Sequence, residues 1–79
     1  MFINKAADGK NNLCGKNISN IRKNMQLSQR KLADLLQVYG LDVDKNAIQR
    51  IEAGKRFVTD IELVAMSNVL NIQINELLI

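Results

Sequence analysis

Histidine, proline and tryptophan are absent from this chain of 79 residues, and cysteine occurs once. Without histidine the common zinc spacings cannot be built, and the usual general base of enzymes is missing. The lone Cys14 excludes an internal disulfide and a cysteine-rich metal cluster. No paired carboxylates share a helix face, and no glycine-rich loop could cradle a phosphate. The chain is therefore expected to be no enzyme and to hold no cofactor or metal. The stretch from Met1 to Gly15 lacks the apolar core of a signal peptide, and nothing approaches the length of a membrane span. A cytoplasmic protein without a membrane partner is the expectation. Aromatics are confined to Phe2, Tyr39 and Phe57. The missing proline fits a run of helices.

What remains is rich in aliphatic residues, and apolar residues make up 47% of the chain. That suffices for one small folded domain with a thin margin of stability. Net charge is only +3, but it is unevenly spread. Between Lys16 and Arg56 the bases are Lys16, Arg22, Lys23, Arg30, Lys31, Lys45, Arg50, Lys55 and Arg56, against Asp34, Asp42, Asp44 and Glu52. From Phe57 onward there are only acids: Asp60, Glu62 and Glu76. Such asymmetry suits a basic face for a polyanion beside an acidic, apolar end, although a solvated surface would give the same count.

Residues 1–12 (MFINKAADGKNN) show no sustained period and end in turn formers, so they are expected to form a flexible N-terminal arm before a domain over 13–79. Met1, Phe2 and Ile3 are apolar enough to fold back on that domain. Leu13, Ile18, Ile21 and Met25 recur near helical spacing, predicting a first helix from Leu13 to Met25. Ser28 is a good N-cap for a second helix that starts at Gln29, buries Leu32, Ala33, Leu35 and Leu36, and runs to Gly40.

The next segment, Asp44 to Gly54, reads as a short helix with a start, an inner edge and a stop. Asp44 can cap it, Ala47, Ile48 and Ile51 share one face, and Gly54 suits a left-handed end. The other face carries Lys45, Asn46, Gln49 and Arg50. Arg, Asn and Gln are the side chains that make bidentate contacts to base edges in a major groove. The plain alternative is a solvated helix face. Beyond a basic loop, Lys55-Arg56-Phe57-Val58, a capping box of Thr59 and Glu62 opens a fourth helix with Ile61, Leu63, Val64, Met66, Val69 and Leu70 as its apolar set. Asn71 can end it, and Asn75 to Leu78 reads as a last helical turn. The fold class is all-α with five helices. Cys14 reads as a small buried apolar residue.

Arg22, Leu27-Ser28-Gln29, Leu32-Ala33, Ile48, Ile51-Glu52, Gly54-Lys55 and Leu70 with Leu77 form an ordered set that resembles the Cro/lambda-repressor-type helix-turn-helix domain, also called the XRE family. The resemblance covers about Asn17 to Leu78. It implies a five-helix lambda-repressor-like domain that binds double-stranded DNA as a homodimer on palindromic operators. The second helix would cross the backbone and the third, about 44–53, would enter the major groove. Carried onto this chain, the resemblance makes Lys45, Asn46, Gln49 and Arg50 the base-facing residues. Gln29 becomes a backbone contact, Lys55 and Arg56 become loop donors to phosphate, and Arg22 with Glu52 becomes a structural ion pair. Lys16 and Lys23 add to phosphate neutralisation.

Two departures from the family pattern stand out. Between Leu32-Ala33 and Ile48 the chain is about five residues longer than the compact family turn, which lengthens helix two, the turn, or both. Ala53 stands where many members carry Asn. At the end of the chain Ile72, Ile74, Leu78 and Ile79 either finish the core or leave an edge for a dimer contact. The function implied is a sequence-specific transcriptional regulator of bacterial or phage type. The rival reading is a protein-interaction module, such as an antitoxin or adaptor, using the acidic apolar end.

Overall fold

The computed structural model describes residues 5–79, so the apolar trio Met1, Phe2 and Ile3 lies outside the described residues. Five helices follow one another: α1 (Gly15–Asn24), α2 (Gln29–Tyr39), α3 (Lys45–Glu52), α4 (Asp60–Leu70) and α5 (Ile74–Leu78). No strand occurs among the described residues.

Local chemistry sets most of the boundaries. Ser28 Oγ accepts from Lys31 N at 2.9 Å and Asp44 Oδ1 from Ala47 N at 2.8 Å, so each satisfies an otherwise unpaired amide at a helix start. Thr59 and Glu62 form the reciprocal capping box before α4. The first four helices all stop in the same way: a residue in the left-handed region is followed by an amide that reaches back to the last turn. Those residues are Gln26, Gly40, Gly54 and Asn71. The closing bonds are Leu27 N to Arg22 O, Leu41 N to Leu36 O, Lys55 N to Arg50 O and Ile72 N to Ser67 O. A chain without proline thus breaks its helices by C-caps alone. Gly40, Gly54 and Asn71 were legible as stops; Gln26 was not, because glutamine has no preference for that conformation.

The helices enclose one core built from Ile18, Leu32, Leu36, Ile48, Ile51, Met66, Leu70 and Leu77, all fully buried. α2 packs on α3 and α4, while α1 packs on α3 and α5. Asn17 Nδ2 closes the far end by donating to Leu77 O (2.9 Å) and Ile79 O (2.7 Å). The lengthened connection divides between helix and turn. α2 continues to Tyr39, and the following strap is held by Gln37 Nε2 donating to Val43 O at 2.8 Å. Val43 is buried at the position just before the N-cap of α3 and belongs to the same core cluster as Ile48, the positions a hydrophobic staple occupies.

Three expectations change. α1 is shorter than Leu13 to Met25, with Leu13 60% exposed and Cys14 filling the core position. Asn12, not a helical residue, supplies the cap there, its Oδ1 accepting from Gly15 N at 2.8 Å. In α4, Ile61 and Val64 face outward, Ile61 being 71% exposed, and Glu62, Ala65, Met66 and Leu70 face inward. The helix is apolar nearly all round, so its pattern could not choose a side; the docking of Glu62 did. Finally, the segment expected as a flexible arm is tied down at its end. Asn11 N donates to Gly54 O at 2.8 Å, and both Asn11 and Asn12 bond the chain beyond α3. Two adjacent asparagines read as turn formers, but carbonyls at and beyond the end of α3 have no helical partner and these amides supply donors to them.

Candidate nucleic-acid interface

The outer face of α3 is polar, exposed and without side-chain partners among the described residues. Ile48 and Ile51 are fully buried, which points Lys45, Asn46, Gln49 and Arg50 away from the core, and all four are exposed. Lys45 and Gln49 lie one turn apart, as do Asn46 and Arg50, so they form one stripe. None of these side chains has a hydrogen-bond partner among the described residues. Their donors remain available to a ligand.

Behind the stripe, Glu52 anchors α3 to two other helices. Arg22 donates Nε to Glu52 Oε2 at 2.7 Å and Nη2 to Oε1 at 3.0 Å, and its third nitrogen, Nη1, donates to Leu27 O at 2.8 Å. The hydrogen bonds to Glu52 push the Arg22 guanidinium further above its already high value. One side chain therefore ties α1, the turn before α2 and the end of α3 together. Gln29 joins this network, Nε2 donating to Glu52 Oε1 at 3.0 Å. One amide hydrogen of Gln29, expected on phosphate, is thereby committed to the protein; its second hydrogen and the free backbone amides of the first turn of α2 remain.

The loop after α3 separates its two cations. Lys55 is exposed. Arg56, expected as a second phosphate donor, instead forms a two-toothed pair with Glu62, at 3.0 Å through Nη1 and 2.8 Å through Nη2. Glu62 also accepts from Thr59 N at 2.9 Å. Arg56 first, and Thr59 after it, hold the Glu62 carboxyl below the usual carboxylate range, and Glu62 raises Arg56 in turn. The Arg56–Glu62 pair escaped sequence reading because a six-residue separation across a loop has no periodic signature; only the capping box marked Glu62. On α1, Lys16 and Lys23 are exposed two helical turns apart, on the same outer side.

From Lys45 to Val58 the chain carries Lys45, Arg50, Lys55 and Arg56 against the single carboxylate of Glu52, which Arg22 neutralises. With Arg56 paired to Glu62, the free cations of this face are Lys45, Arg50 and Lys55, and the exposed carboxylate of Asp44, at the N-cap of α3, stands beside Lys45, so the excess is cationic but modest. Elsewhere, Tyr39, Gly40, Leu41, Ile61, Val64 and Ala65 line a shallow apolar hollow of about 280 Å³. Asn68 Nδ2 donates to Tyr39 Oη at 2.7 Å across its edge. Tyr39 therefore covers the seam between α2 and α4. At the C-terminus Ile72 packs against the core, while Ile74, Leu78 and Ile79 are exposed. Among the described residues no cluster of His, Cys, Asp and Glu could hold a metal, and no helix is long and apolar enough to cross a membrane.

The helix-turn-helix family model matches residues 18–77. Among solved structures the chain is similar to the restriction-modification controller protein C.AhdI from Aeromonas hydrophila, at 27% sequence identity and a TM-score of 0.70 over 80% of this chain and 88% of that one. No curated protein matches.

Proposed function

Because the chain belongs to the helix-turn-helix family, whose model spans most of it, we propose that it is a sequence-specific DNA-binding transcriptional regulator that reads the major groove with α3. The observation that carries this is the stripe Lys45, Asn46, Gln49 and Arg50, unpartnered and projected from a helix whose other side is locked into the core. Its role is binding rather than catalysis. Likeness to a controller protein supports regulation over the rival interaction module.

In this reading Asn46, Gln49 and Arg50 contact base edges, each bidentate contact contributing about 1–3 kcal/mol of discrimination. Lys45, at the first turn of α3, reaches the groove edge. Lys55, Lys16, Lys23, the free amide of Gln29 and the amides at the start of α2 contact phosphate, which makes affinity fall steeply with salt. Arg56 acts through Glu62, holding the loop that carries Lys55. Two copies related by a two-fold axis would read two half-sites about 34–36 Å apart, or a multiple of that spacing. The exposed edge of Ile74, Leu78 and Ile79 would supply apolar area for their contact. A protein that acts on the genome of a bacterium or phage works in the cytoplasm.

Selection of bound sequences from random duplexes, followed by titration on the selected and a scrambled duplex, tests the function. A recovered inverted repeat bound at least a hundredfold more tightly than the scrambled duplex is expected. Equal affinity for both would overturn sequence-specific regulation.

A further inference from the structure

Residues 10–12 precede the stretch matched by the family model, 18–77, yet they are built into the end of α3. Asn11 donates N to Gly54 O at 2.8 Å and Nδ2 to Lys55 O at 3.0 Å. Asn12 Nδ2 donates to Ile51 O at 3.1 Å and to Arg56 O at 2.8 Å. Two consecutive residues thus bind four carbonyls over the last turn of α3 and the loop after it. Ile51 O, in the last turn of α3, lies at the negative end of the helix dipole, and the loop carbonyls after it add oxygen lone pairs that would repel a phosphate placed nearby. Neutral amide donors blunt that repulsion and fix the backbone that presents Lys55.

Lys10 lies against the same turn. A Cβ built on Gly54, whose φ of +76° favours glycine, would stand 2.6 Å from Lys10 Cδ and 2.8 Å from its Cγ. The lysine stem therefore crosses the end of α3 on bare backbone. The backbone N–H of Lys10 donates to Asp8 Oδ1 at 3.0 Å, but its ammonium has no carboxylate within ion-pair distance among the described residues, where the pairs are Arg22–Glu52 and Arg56–Glu62. A cation beside the loop of Lys55, with its stem held and its charge unspent, is placed to receive an anion.

Resting on the regulator reading, we propose that residues 10–12 are part of the DNA interface: Asn11 and Asn12 hold the Lys55 loop in position, and Lys10 supplies a further cation to the same stretch of phosphate backbone. Lys10 contributes affinity without sequence preference, since phosphates are alike at every step.

The test is a salt titration of the full chain on a random-sequence duplex, with the unmodified protein, Lys10→Gln and Lys10→Arg. Lys10→Gln keeps a stem over Gly54 and removes the charge. Its plot of log affinity against log salt should be shallower by about 0.9, the value for one lost phosphate contact, while Lys10→Arg keeps the original slope. If Lys10→Gln binds with unchanged slope, or only lowers the melting temperature, Lys10 merely complements the helix end and the inference is overturned. Failure of the unmodified protein to bind any duplex at low salt would overturn the regulator reading and this inference with it.

Discussion

Arg22 Nε lies 2.7 Å from Glu52 Oε2, joining α1 to α3 through a pair whose side chains are only 10% and 7% exposed. A pair so enclosed costs more to break on one side than it gains by forming. Glu52→Gln should therefore lower unfolding free energy by about 3 kcal/mol, because it strands the buried guanidinium. Replacing both residues by apolar ones of similar volume should cost less than the single change. Chemical denaturation of Arg22→Met, Glu52→Leu and the double carrying both, read as a cycle, checks this; strictly additive losses would show that the pair is not coupled.

The stripe on α3 and the loop after it should separate specificity from affinity. Arg50→Ala is expected to weaken the selected duplex by roughly tenfold or more and the scrambled duplex little, since a base contact contributes about 1–3 kcal/mol. Lys55→Ala should weaken both alike and make the salt dependence shallower. Paired titrations decide it, and equal losses on both duplexes for Arg50→Ala would remove Arg50 from the base-reading set.

Acid should unfold the protein partly through Glu62. Its carboxyl is held below the ordinary value of 4.5, chiefly by Arg56, so the pair contributes stability that is complete above that value and fades as pH falls through the lower folded value. Glu62→Gln should lower the melting temperature at neutral pH, and the gap to the unmodified protein should close in strong acid. Melting curves from pH 7 to pH 2 provide the measurement. A gap that stays constant with pH would deny the linkage.

Burial pushes the Cys14 thiol up to about 11, so thiolate is scarce at neutral pH and the sulfur is shielded. Ellman's reagent should react slowly with the native protein and rapidly in denaturant. Comparable rates in the two states would mean that the start of α1 opens readily.

Gly15 is required by closeness rather than by its φ. A Cβ there would collide with the carbonyl oxygen of Ile51 and lie 2.8 Å from Asn12 Oδ1. Gly15→Ala should destabilise by about 1–3 kcal/mol despite alanine's better helix propensity. A melting temperature at or above that of the unmodified protein would show that α1 can move off α3 without cost.

Much of this protein was determined by its sequence alone. The number and order of helices, the caps at Ser28, Asp44 and Thr59, the stops at Gly40, Gly54 and Asn71, and the inward set Ile48 and Ile51 all follow from interactions within a few residues. Such interactions leave periodic or positional marks, so the outward stripe of α3 was legible with them. Tertiary structure decided whatever depended on partners distant in the chain. It assigned Arg56 to Glu62 rather than leaving it free, drew Gln29 toward Glu52, turned Ile61 and Val64 outward, and bound Asn11 and Asn12 to carbonyls about forty residues away. Those choices minimise unpaired buried polar groups across the whole fold, a condition that no local window of sequence contains.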